Sequence, residues 1–255
     1  MQMNGIRAIV TGGASGLGAA VAEAVVAGGG RVTILDLNEA VGLAAAAALG
    51  ERAAFLRVDV TDEAAVDAAV EAATAAMGGL DLAVCCAGVG TPGRLLGRDG
   101  ALPAAAFRKV IEINLVGTLL ACKSAALRMQ RNAPNPGGER GLIVMTASVA
   151  AFEGQIGQIA YAASKGGVVG MTLPMARELA SQGIRVVTIA PGLFLTPMMK
   201  GLPQEAQDSL GKQVPFPSRL GAPSEYAALV RHAVENPMLN GTTLRLDGAI
   251  RMAPR

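Results

Sequence analysis

Short runs of consecutive apolar residues alternate along the chain with longer, alanine-rich stretches. Residues 6–10, 31–35, 53–57, 80–84, 141–146, 184–190 and 243–246 read as strands. Between them, 16–27, 39–49, 63–77, 103–131, 158–181 and 224–235 read as helices. The strands are near-continuous apolar runs rather than alternating ones, so both faces of their sheet should be covered. Strand and helix in alternation imply right-handed crossovers and a doubly wound, mostly parallel seven-stranded sheet with helices on both faces. Thr61-Asp62-Glu63 and Pro223-Ser224-Glu225 look like helix starts, and Gly78-Gly79 like a helix stop. Residues 89–101, 132–140 and 192–222 take no assignment. The first and third follow strands, where an open α/β sheet carries its ligands, so both are substrate-loop candidates, the main one spanning about 191–222.

Composition narrows the picture. The 255 residues are 51% hydrophobic but only 3% aromatic, with no Trp, which suits helices packed closely on a sheet. The length fits one α/β domain, and no linker or repeat divides it. A mean hydropathy of +0.42 suggests apolar surface covered by another subunit. No uninterrupted apolar stretch reaches ~18 residues, so no membrane span is expected. The first residues lack the features of a signal or transit segment, so the chain is expected to be cytoplasmic. A net charge of +2 is too small to argue for nucleic acid. Cys85, Cys86 and Cys122 form no CxxC pair, and His232 is the single histidine, so three reduced thiols and no metal site are expected.

After the first strand comes Thr11-Gly12-Gly13-Ala14-Ser15-Gly16-Leu17-Gly18, then a helix. Gly12, Gly16 and Gly18 allow a tight turn and a close backbone approach to a pyrophosphate, which the helix N-terminus attracts. No Gly-Lys-Ser/Thr ending follows, against an NTPase loop. Asp36 closes the second strand, 20 positions past Gly16, and can accept hydrogen bonds from ribose hydroxyls. It would repel the 2′-phosphate of NADP, and no Arg adjoins it, so NAD is the expected cofactor. A solvated Asp, or a cap for the next helix, is the plainer alternative. Asp59-Val60 after the third strand could hold the adenine edge. Cys86-Ala87-Gly88 after the fourth could bring main chain to the cofactor, with Cys86 acting through position, not thiol chemistry.

Ser148 follows the fifth strand, and Tyr161 and Lys165 stand thirteen and seventeen positions later. Tyr161 and Lys165 are i and i+4, so they share a helix face. Alcohol oxidation removes a hydroxyl proton while a hydride leaves the carbon. A free phenol titrates near 10, so neutral-pH catalysis favours a drop of ~3 units, or ~4 kcal/mol. The Lys165 ammonium and the positive nicotinamide ring could supply it. Ser148 would bind the substrate oxygen, and Asn114 could complete a proton path through Lys165.

Together these residues resemble the short-chain dehydrogenase/reductase family: the glycine turn, the Ser148/Tyr161/Lys165 spacing, Asn114, and Pro191-Gly192 after the sixth strand all match. The family implies a single-domain Rossmann fold, with Pro191 flanking the nicotinamide. Cys85-Cys86-Ala87-Gly88 departs from the Asn-Asn-Ala-Gly of many members. The runs 146–155, 190–194, 214–221 and 246–252, and Cys86, are similar to the type II 3-hydroxyacyl-CoA dehydrogenase subfamily. That resemblance implies NAD contacts from Ser15, Leu17, Asp36, Asp59, Val60, Cys86, Tyr161, Lys165, Phe194 and Thr196, substrate contact from Ser148, and a homotetramer. The expected activity is NAD-dependent interconversion of a secondary alcohol and a ketone, foremost (S)-3-hydroxyacyl-CoA and 3-oxoacyl-CoA. A hydroxysteroid or general secondary-alcohol dehydrogenase, or an NAD-binding scaffold, are the alternatives. The apolar stretch 193–199, with 214–216, should overhang the nicotinamide and suits an acyl chain, or else a neighbouring subunit. Arg94 and Arg98 could attract CoA phosphates.

Overall fold

The computed structural model describes residues 1–98, 100–201 and 203–254, and of Met198 and Lys200 the backbone alone, so the Met198 side chain lies outside the described residues. The elements run β1 (Arg7–Thr11), α1 (Gly16–Ala27), β2 (Arg31–Asp36), α2 (Glu39–Leu49), β3 (Ala53–Arg57), α3 (Glu63–Met77) and β4 (Leu82–Cys85). A hairpin, β5 (Leu96–Gly97) and β6 (Gly100–Ala101), precedes α4 (Ala104–Ile111), a π-turn (Glu112–Val116) and α5 (Gly117–Met129). Then come β7 (Gly141–Thr146), α6 (Ile159–Leu179), β8 (Ile184–Pro191), α7 (Pro197–Lys200), α8 (Gln204–Lys212), α9 (Pro223–Glu235) and β9 (Thr242–Leu246).

The main sheet has seven strands in the order β3-β2-β1-β4-β7-β8-β9. Every pairing in it is parallel, with Ala8 opposite Val32 on one side and Leu82 on the other. Every residue of β7 and β8 is buried, as continuous apolar strands require. Along β7 the side chains alternate between layers. Leu142 and Val144 join the core under α1 and α9, while Ile143 and Met145 join the one under α3, α5 and α6. Each such side chain, fully withdrawn from water, stabilises the fold by ~1.5–3 kcal/mol.

Helix ends follow local chemistry. Asp62 caps α3 by accepting from Ala65 N at 3.0 Å, and Gly78 ends it in the left-handed conformation with φ 74°. At α9, Pro223 is the first helical residue and the Glu225 carboxylate accepts from Ala222 N at 2.7 Å. The helix expected over 103–131 is interrupted by the π-turn, and the unassigned stretch 192–222 contains two short helices, α7 and α8. By length and composition the run Ala104–Met129 is apolar enough to cross a membrane. Its Val110, Leu120, Ala121 and Met129 are instead buried in the protein interior.

From β1 the chain works outward through β2 to β3, then returns to the opposite side of β1 with β4. The winding direction therefore switches between β1 and β4, and the loops after them border a crevice at the carboxyl edge.

Candidate active site

The glycine turn leaves β1 at this crevice. It has no room for side chains: a Cβ on Gly12 would stand 2.7 Å from Ala87 N, and one on Gly18 2.3 Å from Gly12 O. Gly12 also adopts φ +64°, where only glycine rests without strain. The turn and the β4 loop thus touch main chain to main chain, a contact reinforced where Ala87 N donates to Thr11 Oγ1 at 3.3 Å. Ser15 is the N-cap of α1 but its hydroxyl makes no cap bond, which leaves the first-turn amides to an incoming anion. Asp36 does two jobs at the end of β2: its carboxylate accepts from Ala14 N and from Asn38 N, each at 3.1 Å. The cap of α2 is Asn38, not Asp36. A bare backbone cradle, open helix amides and a carboxylate braced beside them fit a dinucleotide.

The other expected contacts are distributed around the same edge. Asp59 is exposed and bound to Thr61 through N at 2.9 Å and Oγ1 at 2.8 Å, bonds that hold its carboxyl below the usual range. Val60 is buried against Gly117. The chain after β8 folds back over the glycine turn, so that a Cβ on Gly16 would lie 3.3 Å from Pro197 Cδ and 3.8 Å from Thr196 Cβ. Phe194 differs from the expectation of a substrate-facing apolar loop. It is 6% exposed and packs in the core, pairing with Gly221, whose small size makes room for its ring. Val214 is buried too, whereas Phe216 is 83% exposed.

Ser148, Tyr161 and Lys165 converge. Ser148 ends β7's extension in extended geometry, its Oγ accepting from Ala150 N at 3.1 Å and hydrogen-bonding the Tyr161 phenol. Lys165 Nζ lies 5.8 Å from the centre of the Tyr161 ring and donates to Thr146 O at 2.8 Å. Burial lowers Lys165 to about 8, with the nearby Cys86 and Cys85 thiols opposing. Burial also raises the Tyr161 phenol, and the Ser148 bond only partly offsets this. The chain alone therefore holds Tyr161 protonated. Any net acidification needs positive charge brought by a bound partner.

Asn114 is fully buried in the π-turn. Its Oδ1 accepts from Val89 N at 2.8 Å, while Nδ2 donates to Val89 O at 2.9 Å and Ser164 Oγ at 3.0 Å. These bonds clamp the β4 loop, and the side chain is spent on them rather than on Lys165. Above Gly88, a Cβ would stand 3.2 Å from Asn114 Oδ1 and 3.5 Å from Lys165 Nζ, so glycine there keeps the two groups neighbours. Burial pushes the Cys86 thiol up to about 11, which leaves it uncharged at neutral pH.

Some contributors carry no signal in the sequence beyond a polar residue at the end of an apolar strand. Thr146 supplies the carbonyl for Lys165, and its Oγ1 meets the fully buried Tyr226 hydroxyl at 2.7 Å. Arg94 borders a cavity of about 520 Å³ formed with Leu95, Leu96 and residues 154–157. Among the described residues no His, Cys, Asp and Glu cluster is arranged for a metal ion.

A family model described as short chain dehydrogenase matches residues 7–207. The 3-hydroxyacyl-CoA dehydrogenase type-2 of Bos taurus is 52% identical over 255 residues, spanning 99% of this chain and 98% of that protein. Its namesake from Drosophila melanogaster is 52% identical over 248 residues, spanning 96% and 97%. The crystal structure of 3-hydroxyacyl-CoA dehydrogenase type-2 from Mycobacterium avium superimposes with a TM-score of 0.94 at 45% identity and covers 98% of each chain.

Proposed function

This chain belongs to the short-chain dehydrogenase family, and from that premise we propose that it interconverts (S)-3-hydroxyacyl-CoA and 3-oxoacyl-CoA with NAD. The observation that carries the reading is the convergence of Ser148, Tyr161 and Lys165 at the sheet edge that also bears the bare glycine turn. Sequence identity of 52% to dehydrogenases named for that substrate supports the acyl-CoA class.

In this reading the amides of Gly16, Leu17 and Gly18 and the Ser15 hydroxyl hold the pyrophosphate, and Asp36 accepts from the ribose hydroxyls. Asp59 and Val60 border the adenine. Cys86, Ala87 and Gly88 contribute main chain, and Pro191, Thr196 and the main chain of Phe194 line the nicotinamide end. Bound NAD supplies the hydride acceptor and a positive ring. Tyr161 takes the hydroxyl proton at its phenolic oxygen when the alcohol is oxidised, and returns it when the ketone is reduced. Ser148 donates to the substrate oxygen and steadies the charge that develops there. Lys165, held by Thr146 O, keeps a cation beside the phenol and passes the proton on toward solvent. Asn114 fixes the β4 loop so that these groups keep their spacing.

Leu119, Leu127 and Leu173 are large apolar side chains exposed on α5 and α6, which supports a homotetramer as the working form. Light scattering at micromolar concentration tests this, and a monomer would reject it.

The decisive experiment follows NADH consumption with acetoacetyl-CoA, a ketosteroid, and NADPH in place of NADH. Consumption of NADH with acetoacetyl-CoA, and little with the other combinations, is expected. A ketosteroid turned over with higher kcat/KM would replace the acyl-CoA assignment.

A further inference from the structure

The segment that follows β9 is bound to the chain that follows Ser148. Gln155 Nε2 donates to Ala253 O at 3.0 Å, and Ile156 N donates to Pro254 O at 3.0 Å. The Met252 amide donates to the Glu153 carboxylate. That carboxylate also accepts from Arg245 Nη1 at 2.7 Å and Nη2 at 3.0 Å, and pairs with Arg251 at 3.4 Å. Arg245 in turn donates from Nε to Asp247 at 2.7 Å and stacks 5.3 Å from the centre of the Phe152 ring.

The turn leading into this segment is strained. Ala249 sits at φ 68°, which costs a non-glycine residue ~1–2 kcal/mol. It is held there by Asp247, whose carboxylate accepts from Ala249 N at 3.0 Å and from Arg251 Nη1 at 3.3 Å. A strained turn locked by ion pairs sends the chain across residues 153–156.

Those residues continue into one wall of the cavity of about 520 Å³, whose opposite wall is Arg94, Leu95 and Leu96. The walls are joined where Gly93 N donates to Gly157 O at 2.7 Å. Ile159, which also lines the cavity, is the first residue of α6, the helix that carries Tyr161. The volume falls in the ~300–1,000 Å³ range of small-molecule sites. Leu95, Leu96, Ile156 and Ile159 are all large apolar residues left 42% or more exposed around it. On the 94–96 wall Leu95 and Leu96 are 64% and 78% exposed, whereas the opposite wall is hydrogen-bonded to residues 253 and 254, so the tied wall is the one that fixes the width.

We propose that residues 252–254 form a strap that determines substrate specificity: by pinning residues 153–156 they shape an apolar pocket beside Tyr161 that receives the acyl chain. The inference rests on the acyl-CoA reading and adds to it which part of this chain sets acyl length.

The test measures binding of two unreactive esters, butyryl-CoA and dodecanoyl-CoA, to the NADH-loaded protein by calorimetry. The variants are a chain ending at Arg251 and Gln155→Ala, which removes one strap bond and leaves the ion pairs intact. Thermal unfolding confirms that each variant is folded. The strap predicts that dodecanoyl-CoA binding weakens at least ~10-fold in the shortened chain and ~3-fold in Gln155→Ala, with butyryl-CoA within ~2-fold of the parent in both. Faster amide exchange at Ile156 should accompany the loss. Equal weakening of both esters, or none, would overturn the strap while leaving the acyl-CoA reading intact. Failure of the parent protein to bind either ester would overturn both.

Discussion

Replacing Ser148 with alanine removes a hydroxyl that makes distinct contacts. It hydrogen-bonds the Tyr161 phenol, opposing the upward pull of burial, and it accepts from Ala150 N at 3.1 Å. Loss of the second contact costs ~1 kcal/mol, as for other helix caps, so the protein should remain folded. A hydrogen bond to an ionised group contributes ~1.5–3 kcal/mol. The bond favours the phenolate, so without it the phenol becomes harder to ionise. Oxidation of a 3-hydroxyacyl-CoA, which needs the ionised form, should then show its rising limb displaced to higher pH. Loss of the donor to the substrate oxygen should lower kcat by a further ~10²–10³-fold that does not return at alkaline pH. Initial rates of NADH formation across the neutral and alkaline range separate the two effects. A uniform drop with the limb unmoved would refute the phenol contact, and parental rates at every pH would remove Ser148 from the site.

Tyr161→Phe should lower turnover by at least ~10³-fold while NADH fluorescence titrations still report binding; retained turnover would contradict the proton-carrier role. Lys165 is 4% exposed, and burial brings it to about 8. The unfolded chain keeps that proton up to ~10.4, so the native state is penalised below about pH 8 and recovers as pH rises between the two values. Lys165→Met should therefore abolish turnover yet stabilise the protein at pH ~7 by ~1–3 kcal/mol, less at pH ~10, in urea unfolding; destabilisation at neutral pH would count against the burial cost. Asp36→Ser should weaken NADH binding by ~10-fold and improve NADPH binding, with unchanged preference as the refuting result.

The sheet was legible because its strands are buried on both faces. The continuous run at 141–146 needs no tertiary information to identify, and it is fully buried as β7. Where burial is partial, the signal fades. Helix α8 reads Gln204–Lys212, largely polar, with Gly211 its buried residue, so nothing in its pattern distinguishes it from a loop. Within the site, the residue types pointed to the glycine turn, Asp36, Ser148, Tyr161 and Lys165, because each needs a particular side chain or the absence of one. The supporting shell was hidden. Thr146 offers its carbonyl to Lys165, and a carbonyl belongs to every residue. The buried Tyr226 reaches Thr146 across 80 positions of sequence, a pairing that only the fold creates. The direction of the Tyr161 shift was also out of reach, since it depends on how far water is excluded from the phenol.

The wide helical turn at Glu112–Val116 accommodates one residue more than a regular helix would over the same length. Deleting a single residue there would mend the backbone ladder, and local propensity would if anything improve. The repair would leave everything downstream in place, because the wide turn absorbs its extra residue without advancing the phase of the helix. Leu120, Cys122 and Met129, at 9%, 0% and 0% exposure, would stay in the interior, but Asn114, which sits within the wide turn, would lose its hold on Val89. The irregularity thus lets one rod present a polar clamp at its start while the apolar stripe further along keeps its bearing. Loss of one residue here should therefore spare the fold and fall on the clamp alone.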